Sequence, residues 1–269
     1  MQNIIVADLP ASLDTVLLVH RIVGYPLAFV VAPLALATFA GRPRHRAAGL
    51  VYAVLMTFLY LTGSSLTFTQ YPWGSWEFGR NFAFNLLGFL FLLNGVRAIW
   101  LWRNQDAPRP APIDRVLFAL TVAAVVLMGT LALVKNTPLR IFTILGVTLL
   151  VLDRRDWRAG FTRAVLYARH TRYILASYFY VLTVVSLVHL RDEVAVNVRW
   201  LWPSVIGVAV IWIADRAARP GAASRVSINQ WAMRATLVVA LTFGAYTAYE
   251  LVRDGGLSPN PPRATVRAP

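Results

Sequence analysis

The sequence contains no cysteine, and only 14% of its 269 residues are charged. The lack of cysteine excludes disulfide frameworks, thiolate zinc sites, iron–sulfur clusters and cysteine nucleophiles. The low charge content, a hydrophobic fraction of 58% and a mean hydropathy of +0.58 argue against an ordinary water-soluble globular domain. Together these values predict an integral membrane protein.

Uncharged stretches that are long enough to cross a bilayer recur along the chain, since about 20 apolar residues cross a hydrocarbon core of roughly 30 Å. The weakest stretch, 139–152, contains Arg140 near its start and is followed by Asp153. We predict an all-α fold, a polytopic transmembrane helix bundle of about eight spans in a single domain, 1–254. The predicted spans are 22–41, 47–70, 81–96, 116–134, 139–152, 173–190, 200–214 and 235–249.

The segments outside the spans are short and polar. A proline-rich stretch near 104–113 predicts a stiff connector between the first three spans and the last five. The tail, 255–269, contains four prolines and no apolar run. This composition predicts a disordered C-terminal tail after the membrane domain.

Basic residues are distributed unevenly between the two sides of the predicted bundle. The loops of one side carry about twice as many Lys and Arg residues as those of the other, and such an excess marks the cytoplasmic side. We therefore predict that both termini are outside. The net charge of +14 is then mainly a record of orientation, so we expect no nucleic-acid partner. The basic inner face is expected to attract anionic lipid.

Charged residues are almost absent from the middle of the predicted spans. Arg21 and Arg97 lie near span edges, and Asp153, Asp215 and Glu250 lie at span ends. Long charged side chains in such places extend toward the lipid headgroups. We therefore expect these groups at the membrane surface. Because ion-coupled carriers usually bury a carboxylate, the pattern argues against an ion-coupled carrier.

Small and polar residues cluster on several of the predicted spans. Glycines and amides, such as Gly88 and Gly95 on the third span, commonly form the contact faces of membrane helices. Helix packing is therefore the interpretation that we favour. The alternative is a polar cavity for a small molecule or lipid. The candidate cavity residues are Ser64, Ser65, Asn81, Asn85, Ser177 and Tyr178.

Four histidines are the remaining candidate cofactor ligands, because imidazole binds haem and transition metals. The predicted topology places His20 and His189 near the outer surface and His45 and His170 near the inner surface, as two bis-His haems would require. One helix separates His170 from His189 by roughly 28 Å, at about 1.5 Å per residue. All four histidines lie near the interfaces. We predict no cofactor and keep a bis-His haem b as the alternative.

Short motifs are spread over two stretches of the chain, 45–114 and 170–212. They are His45-Arg46-x-x-Gly49-x-x-Tyr52, Gly95-x-Arg97, Asp114, His170-x-Arg172 with Ser177-Tyr178 and Thr183, and Trp200-Leu201-Trp202-Pro203-x-x-x-Gly207. Together they resemble a bacterial family of multi-pass membrane proteins that carries only a domain-of-unknown-function label. The resemblance implies a polytopic protein of the bacterial inner membrane, and it brings no reaction, substrate or cofactor.

The sequence lacks the motifs of the common enzyme classes. It has no nucleotide-binding loop and no His-Glu-x-x-His zinc motif. We therefore predict a non-enzymatic accessory or scaffolding protein that assembles with partner subunits in the membrane. Two alternatives stay open, a bis-His haem b redox protein and a transporter of small molecules or lipid.

Overall fold

A computed structural model describes residues 11–37, 43–104, 110–135, 139–189, 196–218 and 225–253. Over these residues the chain forms eight helices and no strand, which confirms the all-α class. Helix α1 comprises Ala11–Pro26, a π-helical segment Leu27–Val31, and Ala32–Ala37. The others are α2 Pro43–Gln70, α3 Trp76–Asn104, α4 Pro112–Lys135, α5 Leu139–Ala159, α6 Arg163–His189, α7 Val196–Ala218 and α8 Arg225–Arg253.

Among the described residues, four helices are long and apolar enough to cross a membrane. They are Thr15–Leu36, Pro43–Gln70, Trp76–Asn104 and Pro112–Val134. These helices support a membrane protein, as the sequence predicts. The other four spans and the positions of the termini stay predictions. The predicted tail, 255–269, and half of the predicted connector, 105–109, lie outside the described residues.

Helix α6 lies at the centre of the bundle. It packs most extensively against α7 and α3, and its side chains are buried almost without interruption from Leu175 to Thr183. A helix that is apolar and buried on all sides must be surrounded by other helices. The surrounding helices expose large apolar side chains on their outer faces, among them Leu50, Leu133 and Ile144.

Glycines allow α3 and α7 to approach α6 closely. A Cβ atom added to Gly95 would lie 2.8 Å from Ile174 Cδ1 and 3.3 Å from the Ile174 backbone nitrogen. A Cβ atom on Gly207 would lie 2.6 Å from the Phe179 ring. These separations leave no room for a side chain. The helix-packing interpretation is therefore confirmed for Gly95.

Helix α1 changes its hydrogen-bonding pattern at Pro26. Proline has no backbone N–H and disturbs the regular helical ladder, and the π-helical segment Leu27–Val31 follows directly. Within this segment the carbonyl oxygen of Ala28 accepts a hydrogen bond of 3.1 Å from the Tyr178 hydroxyl. This bond ties the irregular part of α1 to the central helix α6.

Candidate functional sites: a charge network and a cavity

Two aspartates of α5 face two arginines of α6. Asp153 and Asp156 are three residues apart, as are Arg169 and Arg172, and this spacing places each pair on one face of its helix. Gly160 makes the turn between the two helices. Its φ is 83°, a value that glycine adopts without strain. Arg169 Nη2 consequently donates to Asp153 Oδ2 at 3.0 Å, and Arg172 donates to Asp156.

A further ion pair joins α3 to the start of α4. Arg97 donates through Nε and Nη2 to the two carboxylate oxygens of Asp114, at 3.0 and 3.2 Å. Such bidentate pairs are stronger than single charge-assisted bonds. Asp114 Oδ2 also accepts the backbone N–H of Ala111 at 2.8 Å, which is the reach-back bond of a capped helix N-terminus. Asp114 therefore caps α4 and anchors it to α3.

Helix α7 contributes Asp215 to the same cluster. Asp215 accepts a hydrogen bond from Arg172, and its second oxygen lies 3.5 Å from Arg155 Nη2. Arg169 also reaches α3, where it donates to Asn94 Oδ1 at 3.0 Å. Helices α3 to α7 are thus linked through charged side chains at one end of the bundle.

We call these eight ion-paired residues the charge network. Its members are Arg97, Asp114, Asp153, Arg155, Asp156, Arg169, Arg172 and Asp215. Four cations balance four anions, so the network is neutral when all are ionised. The side chains of Arg169 and Arg172 are 0% exposed, whereas that of Arg155 is 49% exposed. Because buried charges are tolerated only when paired, the core members depend on one another.

The expectation that Arg97, Asp153 and Asp215 extend toward the headgroups is wrong. Asp153 and Asp215 are buried, and Arg97 is mostly buried against its partner. A single predicted span shows where a charge lies along one helix, but it does not show which charge on another helix faces it. The matched three-residue spacing of opposite charges in α5 and α6 is the sequence signal from which the pairing could have been found.

Two of the four histidines donate to backbone carbonyl oxygens. His170 Nδ1 donates to the Gly95 carbonyl oxygen at 2.9 Å, and His45 Nδ1 donates to the Ala35 carbonyl oxygen at 3.0 Å. The side chain of His189 lies outside what the structure describes. Among the described residues, no group of three or more acidic or histidine side chains could hold a metal ion.

A cavity of about 310 Å³ lies between α1, α2, α3 and α6. Its lining includes Leu66, near the end of α2, and Asn85, in the first half of α3. Asn94 and Arg97, which contact the charge network or belong to it, lie in the second half of α3. The cavity and the charge network therefore occupy opposite ends of the bundle.

Polar groups lie at several points of the mostly apolar cavity wall. Thr62 donates its hydroxyl hydrogen to the Phe58 carbonyl at 2.9 Å. Its Oγ1 also lies 2.7 Å from Nδ1 of the cavity residue His20, in a hydrogen bond whose donor depends on the imidazole tautomer. Asn85, also in the lining, donates to Thr67 Oγ1 at 3.3 Å.

Only one of the six predicted cavity residues, Asn85, lines this cavity. Asn81 instead accepts a bond of 3.3 Å from Nε of its neighbour Arg80, and Ser177 accepts one of 3.3 Å from the Tyr52 hydroxyl. The residues of the predicted set that are not in the lining are Ser64, Ser65, Asn81, Ser177 and Tyr178. The sequence pattern named no residue of α1 and the wrong residues of α6, because the contact between these helices is a tertiary feature.

The hydroxyls of Tyr178 and Tyr180, two residues apart on α6, differ in their hydrogen bonding. Tyr178 donates to Ala28, whereas the buried hydroxyl of Tyr180, a cavity residue, has no hydrogen-bond partner within the described part of the chain. We expect Tyr178→Phe to lower the free energy of unfolding by about 1–2 kcal/mol, because it leaves a buried carbonyl unpaired. Tyr180→Phe should not lower it in the ligand-free protein. Denaturation of both variants in detergent tests this, and equal losses would contradict the assignment.

Comparison with known proteins identifies no relative of this chain. No family model, curated protein or solved structure gives a significant match to the chain. The resemblance to the domain-of-unknown-function family therefore stays an expectation. Three residues of the motifs that carry it, Arg97, Asp114 and Arg172, are members of the charge network.

Proposed function

We propose that this chain is a polytopic protein of the bacterial inner membrane, with eight spans and both termini outside. Exposed apolar side chains on the helices beyond the four candidate spans support this proposal. Ile144 of α5 is 64% exposed, Val205 of α7 is 57% exposed and Val238 of α8 is 62% exposed. Side chains of this kind are stable at such exposure when they face lipid. Helix α6 is enclosed by its neighbours and needs no lipid-facing surface.

We further propose that the protein binds a small molecule in the outer half of the membrane. The observation that carries this proposal is the cavity, because small-molecule sites are mostly apolar concavities of roughly 300–1,000 Å³ with a few polar groups. A helix bundle that serves only as a scaffold has no need of such a space, since protein interiors are otherwise closely packed. The accessory or scaffolding role stays a prediction.

The charge network bears on whether the molecule is also transported. Carriers that alternate between two open states must rearrange their helices at both ends. Here the charge network links the five helices from α3 through α7 at the end of the bundle opposite the cavity. Two of its arginines are fully buried. This geometry supports binding at one end of the bundle over passage through it.

Filling the cavity tests small-molecule binding. We expect wild-type protein purified in mild detergent to retain a small molecule, detectable by mass spectrometry of an organic extract. Val184→Trp places an indole in the cavity lining and should abolish retention. The matched control, Val238→Trp, changes a valine that is 62% exposed and should leave retention unchanged. If no extracted species depends on Val184, the binding proposal is wrong.

One observation favours the second candidate, a bis-His haem b protein. Histidines that ligate metals usually donate their other ring nitrogen to a carbonyl or carboxylate, which fixes the ligating tautomer. His45 and His170 both donate Nδ1 to carbonyl oxygens, those of Ala35 and Gly95. The outer pair proposed from the sequence is not supported in the same way, because the Thr62 hydroxyl beside His20 can donate or accept and so does not fix the tautomer, and the side chain of His189 lies outside the described residues.

Visible spectroscopy tests the haem candidate. Protein expressed with adequate haem supply should show a Soret band and dithionite-sharpened α and β bands if His45 and His170 bind haem, and His170→Ala should lose them. A colourless wild-type preparation would rule the candidate out.

A further inference from the structure

We infer that the cavity between α1, α2, α3 and α6 binds an amphipathic monocarboxylic acid, with the carboxylate at Arg21 and the apolar chain inside. This inference rests on the proposed small-molecule binding and specifies the class of ligand. It depends on two features of the cavity, its charge and its apolar wall.

The charge of the lining favours an anion. Arg21 is the one Lys or Arg residue among the described residues that line the cavity, and no Asp or Glu accompanies it there. Arg21 is half-buried and follows His20 directly in α1. A carboxylate beside Arg21 would form charge-assisted hydrogen bonds, which are stronger than those of a neutral hydroxyl group. An alcohol or hydrocarbon would leave this cation without an opposite charge.

The rest of the wall favours a hydrocarbon chain. Six aliphatic side chains line the cavity: Leu17, Leu59, Leu66, Val181, Val184 and Val185. Apolar surface of this kind gains free energy by contact with an apolar ligand. The volume of about 310 Å³ lies at the lower end of the range for small-molecule sites. It therefore suits a single short chain and is too small to enclose a diacyl lipid.

Photolabelling in nanodiscs of zwitterionic lipid tests the ligand class. The probe is decanoic acid that carries a diazirine on its chain, and the labelled sites are mapped by mass spectrometry. We expect saturable labelling of peptides that contain residues 17–25 and 180–185. Decanoate should compete at concentrations at least about tenfold lower than decanol, which keeps the chain and lacks the charge. Butyrate keeps the carboxylate on a shorter chain and should compete poorly.

Variants of α1 and α5 separate the charge effect from general changes. Arg21→Gln should weaken decanoate competition about tenfold and leave decanol unchanged. The control Arg140→Gln removes an exposed arginine of α5, outside the cavity lining, and should leave both competitors unchanged. Because the comparison of decanoate with decanol uses wild-type protein, it does not depend on the folding of any variant.

The outcomes distinguish the ligand class from binding itself. Equal competition by decanoate and decanol at these peptides would overturn the acid preference and leave the binding proposal standing. Labelling that does not saturate, and that Val184→Trp does not reduce, would overturn both.

Discussion

Arg172→Met is expected to lower the free energy of unfolding by about 3–5 kcal/mol, the cost of removing one partner from a buried ion pair. Arg172 is 0% exposed and donates to Asp156 and Asp215 from two other helices. Methionine fills a similar volume but leaves both carboxylates with less compensating charge in the protein interior. Denaturation of the purified protein in mixed detergent micelles measures the loss.

Arg155→Met is the matched control for this effect. Arg155 is paired with Asp156 and Asp215 as well, at 3.8 and 3.5 Å, but its side chain is 49% exposed. Exposed pairs contribute little, so we expect a loss of less than about 1 kcal/mol. Equal losses for the two variants would contradict the conclusion that burial makes the network essential to the fold.

Gly95→Leu is expected to cost at least about 1–3 kcal/mol through overpacking. The Ile174 side chain could turn aside from a new Cβ atom at 2.8 Å, but the Ile174 backbone nitrogen at 3.3 Å cannot move without shifting α6. The Gly95 carbonyl also accepts a bond from His170, so a displacement of α6 would strain this contact as well. Thermal unfolding in detergent reports the change.

A second glycine of the same bundle provides the comparison. A Cβ atom added to Gly49 of α2 meets nothing within 4 Å. Leucine favours helix over glycine by up to about 1 kcal/mol, so Gly49→Leu should be neutral or stabilising. If both substitutions destabilise the protein to the same extent, close packing at Gly95 is not the cause.

The helices themselves could be predicted from the sequence, since long apolar stretches favour helical spans. The least regular predicted span, 139–152, lies within the continuous helix Leu139–Ala159. Residues 173–189 of the span predicted as 173–190 belong to a helix that begins ten residues earlier, at Arg163. The early start could not be inferred from hydropathy, because Arg169 and Arg172 interrupt the apolar pattern and are neutralised only by residues of other helices.

The sites were harder to predict than the helices, because each is assembled from several of them. Asn85 was identified from its amide on a span, but Tyr180 reaches the same cavity from α6, where its neighbours are also aromatic. The four histidines were grouped by predicted depth alone. Depth does not give the hydrogen bonds that now distinguish His20 from His45 and His170.

Cysteine accessibility tests the eight-span architecture most directly, because the chain has no cysteine of its own. Single cysteines are introduced as Pro72→Cys between α2 and α3, as Ala159→Cys at the end of α5, and after Pro269. Pro72 and Ala159 are both exposed. Spheroplasts are treated with a membrane-impermeant maleimide before and after permeabilisation. With eight spans and both termini outside, the first and third positions should react in intact spheroplasts, and the second should react only after permeabilisation. Reaction of the Ala159→Cys variant in intact spheroplasts, or protection of the C-terminal cysteine, would contradict this architecture.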